Sequence, residues 1–160
     1  MKKRLGFLAI AVMGLNACSP TIYKSLQDPS MAWNFDYSAG ACLGTCPNFE
    51  ASLSESGTLH FKGKNFTQHQ GDTILLNQSL LRDSVLAKLE RMAFFQMDTF
   101  YGHEGLMDAA YYSFEINKLD QDSEGGGTNL KSVKANMEIP QELRDFQNWY
   151  HDELRQLGLL

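Results

Sequence analysis

Two sets of side chains have the types and spacing for chemistry. The first is the pair Cys42 and Cys46 in "ACLGTCPNFE" (41–50), with Gly44 between them and Pro47 directly after. Thiols so placed could close a structural bridge, run thiol–disulfide exchange, or supply half of a metal site. The second is His103, Glu104 and Asp108 in "GHEGLMD" (102–108), an imidazole and two carboxylates of the kind an acid–base hydrolase uses. His60, His69, His103 and His151 stand in no ligand spacing with one another or with the cysteines, so no metal site is expected. "GGGT" (125–128) lacks the lysine and the following helix of a phosphate loop, and no serine nucleophile signature is present. No catalytic residue is assigned and no cofactor is expected.

The spacing favours a bridge. A reactive thiolate usually sits at a helix amino end in a pair separated by two residues. Here three residues intervene, and Pro47 turns the chain towards an extended segment. Gly44 allows the positive φ that so short a loop can need. The loop-closure estimate for about five residues is ~2 kcal/mol. A third cysteine, Cys18, would leave an odd thiol unless it serves otherwise.

The amino end supplies that other use. Lys2, Lys3 and Arg4 precede an apolar run from Leu5 to Leu15, too short to span a bilayer and suited to a secretory signal. It closes on Leu15-Asn16-Ala17-Cys18, which resembles the bacterial lipobox. That resemblance implies cleavage after residue 17 and a diacylglycerol thioether on Cys18, anchoring the chain to a membrane. Residues 18–32 then read as a lipidated terminus and a flexible tether reaching roughly 20 Å, and 33–160 as a single domain. Ser19, rather than aspartate, after the anchor points by analogy to the outer membrane and its periplasmic face. Losing the signal removes three of 14 basic residues and none of 19 acidic ones, leaving 11 against 19, a net charge of −8. So acidic a domain is poorly suited to phosphate backbones, which excludes nucleic acid as an expected partner.

Periodicity places these residues on elements. "WNFDYS" (33–38), "NFEASLS" (48–54), "TLHFK" (58–62) and "FTQHQ" (66–70) alternate as strands, with turns at 54–57, 63–65 and Gly71-Asp72. Leu81, Val85, Leu89 and Met92 form one apolar stripe on a helix over about 79–94, which Ser79 or Asn77 could cap. "YYSFEINKL" (111–119) and "NLKSVKA" (129–135) make a hairpin around the polar loop 120–127. Leu143, Phe146, Tyr150, Leu154 and Leu157 mark a last helix that starts at Pro140 and ends at Gly158. The order (meander, helix, hairpin, helix) predicts an α+β domain, an antiparallel sheet with two helices on one face.

"CLGTCPNF", "GTLHFKGKNF" and "IPQELRDFQNWYHDEL", with the segments between, resemble a bacterial family of domains of unknown function, family 6438, over about residues 35–155. Cys42, Gly44, Cys46, Pro47, Phe49, Gly57, Gly63, Asp108 and Pro140 sit where its motif would place them. The chain departs from the pattern at Leu43, usually Phe, at Phe49, usually Tyr, and in the insert 120–127. The resemblance implies architecture and extent, with no assigned activity. The expectation is therefore a non-enzymatic envelope lipoprotein that binds a protein or glycan partner or plays a structural part, with Phe100-Tyr101 as a candidate surface. The alternatives are a thiol–disulfide redox protein using Cys42 and Cys46, and a hydrolase using His103, Glu104 and Asp108.

Overall fold

The computed structural model describes residues 19–106, 108–119 and 127–160. The signal segment, Cys18 and most of the loop at 120–127 lie outside the described residues. Helix α1 (Ser19–Leu26) leads into strands β1 (Trp33–Ala39), β2 (Asn48–Ser54), β3 (Leu59–Asn65) and β4 (Gly71–Leu75). Helix α2 (Ser79–Arg91), a 3-10 turn (Phe94–Gln96) and strand β5 (Phe100–Tyr101) follow, then β6 (Tyr112–Leu119), β7 (Gly127–Ala135) and α3 (Gln141–Gln156). The class is α+β, with a seven-stranded sheet in the order β4-β3-β2-β1-β6-β7-β5.

The meander and the hairpin are antiparallel, but β5 pairs parallel to β7, so the sheet is mixed. Side-chain alternation in the strands sends Trp33, Phe35, Tyr37, Phe49, Leu53, Phe61, Phe114 and Val133 to one face. That face and the apolar stripes of α2 (Leu81, Val85, Leu86, Leu89) and α3 (Leu143, Phe146, Tyr150, Leu154) form one buried cluster. Phe35 is central to it: the rings of Phe146 and Tyr150 meet it edge-on at 5.7 and 5.6 Å. Such contacts add to area burial because ring edges and faces carry opposite partial charge.

Three expectations are corrected. First, 19–26 is a helix and not a tether: Tyr23 and Leu26 are buried in the core. The Tyr23 hydroxyl donates to the Leu89 carbonyl at 2.7 Å, and the Trp33 indole donates to the Leu26 carbonyl at 2.8 Å. Second, 66–70 is a turn and the fourth strand begins at Gly71. The polar alternation of "FTQHQ" imitates a strand, but this segment folds over Gly63, where a Cβ would lie 2.0 Å from the His69 carbonyl oxygen. Thr67 donates to that oxygen, and the His69 amide donates to the Leu159 carbonyl, fastening the turn to the carboxyl end. Third, neither Ser79 nor Asn77 caps α2. Gln78 holds the cap position, and its amide donates to the Gly57 carbonyl at 2.7 Å.

Candidate functional site

The cysteine loop is the connection between β1 and β2. Its two ends are set by the register that pairs Ala39 with Phe49. The sulfurs of Cys42 and Cys46 lie 1.92 Å apart with Cα atoms at 5.8 Å, a disulfide-compatible pair. Gly44 sits between them at φ +147°, backbone that a side chain would strain. Two backbone bonds tie this loop to the segment before β6: the Gly40 amide donates to the Tyr111 carbonyl (2.7 Å), and the Leu43 amide to the Asp108 carbonyl (3.2 Å).

Asp108 therefore meets the cysteine loop through its main chain, while its side chain is exposed. Among the described residues, no hydrogen bond or ion pair joins the side chains of His103, Glu104 and Asp108. The His103 Nε2 instead faces the Glu138 carboxylate at 3.1 Å, both side chains about two-thirds exposed (64% and 67%). Surface pairs of this kind contribute little to stability. What the fold does fix is the His103 backbone. Buried Asn136 accepts from its amide (3.1 Å) and donates to its carbonyl (2.6 Å), and Tyr111 donates to the same carbonyl. Glu138 was invisible from sequence because it lies 35 positions beyond His103. Among the described residues no group of three His, Cys, Asp or Glu could hold a metal ion.

His151, one of the scattered histidines, turns out to be the most perturbed. On α3 it reaches the sheet, where its Nε2 lies 2.8 Å from the Tyr37 hydroxyl and its ring packs edge-on to Phe49. Burial lowers its pKa to about 4, with the nearby Arg155 charge acting in the same direction and Asp152 opposing. The imidazole is thus neutral at ordinary pH. Burial likewise drives the Tyr37 phenol well above its usual range. The pair is part of the packed layer between helix and sheet.

Among the described residues, no helix packs on the sheet's other face. Its strands present Asn34, Asp36 and Ser38 from β1, Glu50 and Ser52 from β2, His60 and Lys62 from β3, and Ser113, Glu115 and Asn117 from β6. A concavity of about 490 Å³ opens there. Asp72, Lys62 and Glu50 alternate in sign across three strands, and Lys64 also pairs with Glu50. Asp36 stands directly opposite Glu115, an arrangement of like charges that costs stability. Neutral donors soften that cost. Asn34 and Asn117 donate to Asp36 at 2.7 and 2.6 Å, and Ser113 donates to Glu115 at 2.7 Å. The arrangement can offer carboxylate acceptors, hydroxyls and amides to a ligand in fixed positions on a rigid sheet.

A model of the family described as Domain of unknown function (DUF6438) matches residues 34–154, well over half of the 160. The chain belongs to this family. No curated protein and no solved structure matches it. The DUF6438 match begins inside β1, so α1 lies outside the matched stretch although its side chains complete the core. Both loops and the whole open face lie inside the DUF6438 region. Among the described residues, no helix is long and apolar enough to cross a membrane.

Proposed function

We propose that this DUF6438 protein is a lipid-anchored, non-enzymatic binding module of the bacterial cell envelope, held at the outer membrane on its periplasmic side. The lipobox-like Leu15-Asn16-Ala17-Cys18 supports the anchor, and the open sheet face is the partner surface. The single observation that carries the binding role is that face: a seven-stranded sheet that, among the described residues, has helices on one side only, and whose other side forms a concavity rich in hydrogen-bonding groups. Ligand sites are concave with a few polar groups in fixed positions, and this surface meets that description. The start of α1 at Ser19, directly after the proposed anchor, supports a domain held close to the membrane.

The Cys42–Cys46 bridge has a structural part in this reading, holding the β1–β2 connection against the 108–111 segment. Replacing both cysteines with serine is expected to lower stability by about 2 kcal/mol, read as a lower urea midpoint with an unchanged slope. An unchanged midpoint would remove the structural role.

A photo-crosslinking residue at His60, on the open face, tests the binding role in intact envelopes. A discrete adduct is expected from His60 and none from the same residue placed at Glu142, exposed on α3. Adducts from Glu142 alone would move the partner surface to the helices. Alanine at His103, Glu104 and Asp108 together should leave the His60 adduct intact.

A further inference from the structure

The two edges of the sheet are built differently. At one edge β5 covers only Lys134 and Ala135 of β7, and the uncovered part of β7 carries Lys131 and a register shift against β6, features that discourage pairing with another chain. At the other, β4 runs five residues, "GDTIL", paired on one side to β3 without a register shift. Natural edge strands are blocked by lysine, proline, a bulge or a covering element. β4 has no lysine and no proline, and its one charge is Asp72. Among the described residues, no backbone bond beyond the β3 ladder involves Gly71–Leu75.

Four of the exposed apolar side chains lie on β4 or near it in sequence. Ile74 is 56% exposed on β4, and Leu76, directly after it, is 64% exposed. Phe66 in the turn before β4 and Leu80 in the first turn of α2 are 57% and 82% exposed. An unblocked strand with an apolar fringe is a surface that another strand covers.

We infer that β4 pairs with β4 of a second copy of this chain, antiparallel about a twofold axis through Ile74. This register uses what the strand itself offers. Ile74 then faces Ile74 of the other copy, Thr73 faces Leu75, and Asp72 faces Leu76. A register centred on Asp72 would instead set two carboxylates directly opposite each other, which is unfavourable. A twofold axis normal to the sheet makes the contact isologous and closed, so assembly stops at two. The apolar fringe favours a like partner, since homodimer contacts are more apolar than the rest of a protein surface. Asp72 and Ile74 point to the open face, opposite Lys62 and His60. The dimer therefore joins two open faces into one continuous surface.

The test uses the full chain extracted in detergent, with sedimentation velocity over roughly a hundredfold range of concentration. A concentration-dependent dimer is expected, and Ile74→Lys should raise its dissociation constant at least tenfold. Because position 74 is exposed, variant and parent should unfold at the same temperature when both are dilute enough to be monomeric, which separates lost pairing from lost folding. Mild oxidation of Ile74→Cys should give a covalent dimer, whereas Asp72→Cys should not, since each copy of residue 72 faces residue 76. A monomer at every concentration, or a dimer that survives Ile74→Lys, overturns the inference. So does an Ile74→Cys adduct formed in the envelope with a different protein, which would give the edge to that partner. A dimer lost without loss of the His60 adduct leaves the open-face reading standing.

Discussion

Tyr23→Ala is expected to destabilise the protein by about 3–5 kcal/mol, the usual cost of removing a large buried aromatic side chain. Tyr23 is 4% exposed, its ring meets Phe95 edge-on at 5.2 Å, and its hydroxyl donates to the Leu89 carbonyl. Losing it would leave a void beneath α1 and free the helix from α2. Tyr23→Phe keeps the ring and drops one buried hydrogen bond, so about 1 kcal/mol is expected. Urea denaturation of the two variants beside the parent gives both numbers. If 19–32 were a tether, both changes would fall within about 0.5 kcal/mol, as surface substitutions do.

Acidification gives the second large effect. The folded state holds His151 neutral, with its pKa lowered from 6.5 to about 4. Above pH 6.5 the ring is neutral in folded and unfolded chains alike, and its contribution is fully present. As pH falls below 6.5 the unfolded chain takes up a proton that the folded chain refuses, so stability drops until about pH 4 and then levels off. At roughly 1.4 kcal/mol per pH unit, the loss reaches about 3 kcal/mol at most, less a discount for the ring's partial exposure. His151→Gln retains a polar partner for Tyr37 but cannot take up a proton. The difference in unfolding free energy between parent and variant should therefore change by about 2–3 kcal/mol across that window. A difference that stays flat from pH 7 to pH 4 would mean that the imidazole is solvated.

The parts of the fold that sequence revealed are those with strong periodicity. β1, β2, β6 and α3 carry aromatic or aliphatic side chains at regular intervals, and each lies within about two residues of its expected span. β4 was missed because its burial is weak on both faces, and because the polar alternation at 66–70 imitated it. Nothing local shows that the chain must fold back over Gly63 there. α1 was missed for a related reason. Its eight residues contain Pro20 and only a few apolar side chains, and Tyr23 gains its importance from Leu89, 66 positions along the chain. β5 is two residues long and exists only through its pairing with β7.

Less of the site was legible. The spacing of Cys42 and Cys46 pointed to a pair, and the structure sets the sulfurs at bonding distance. For the loop of His103, Glu104 and Asp108, the imidazole faces Glu138, a partner that the local sequence does not contain. The open face was written in the alternate positions of the strands all along. Asn34, Asp36, Ser38, Glu50 and Ser52 are the polar half of the alternation in β1 and β2. Whether such a half is bare or covered depends on where the helices dock, which no strand encodes by itself.

Envelope anchoring underlies the proposed role, and one spectrum tests it: the intact mass of the native protein extracted from bacterial membranes. The expected species lacks residues 1–17, carries added acyl mass on Cys18, and is two protons lighter than the reduced chain at Cys42 and Cys46. An unlipidated Cys18 together with two free, alkylatable thiols at positions 42 and 46 would contradict both the anchor and the bridge.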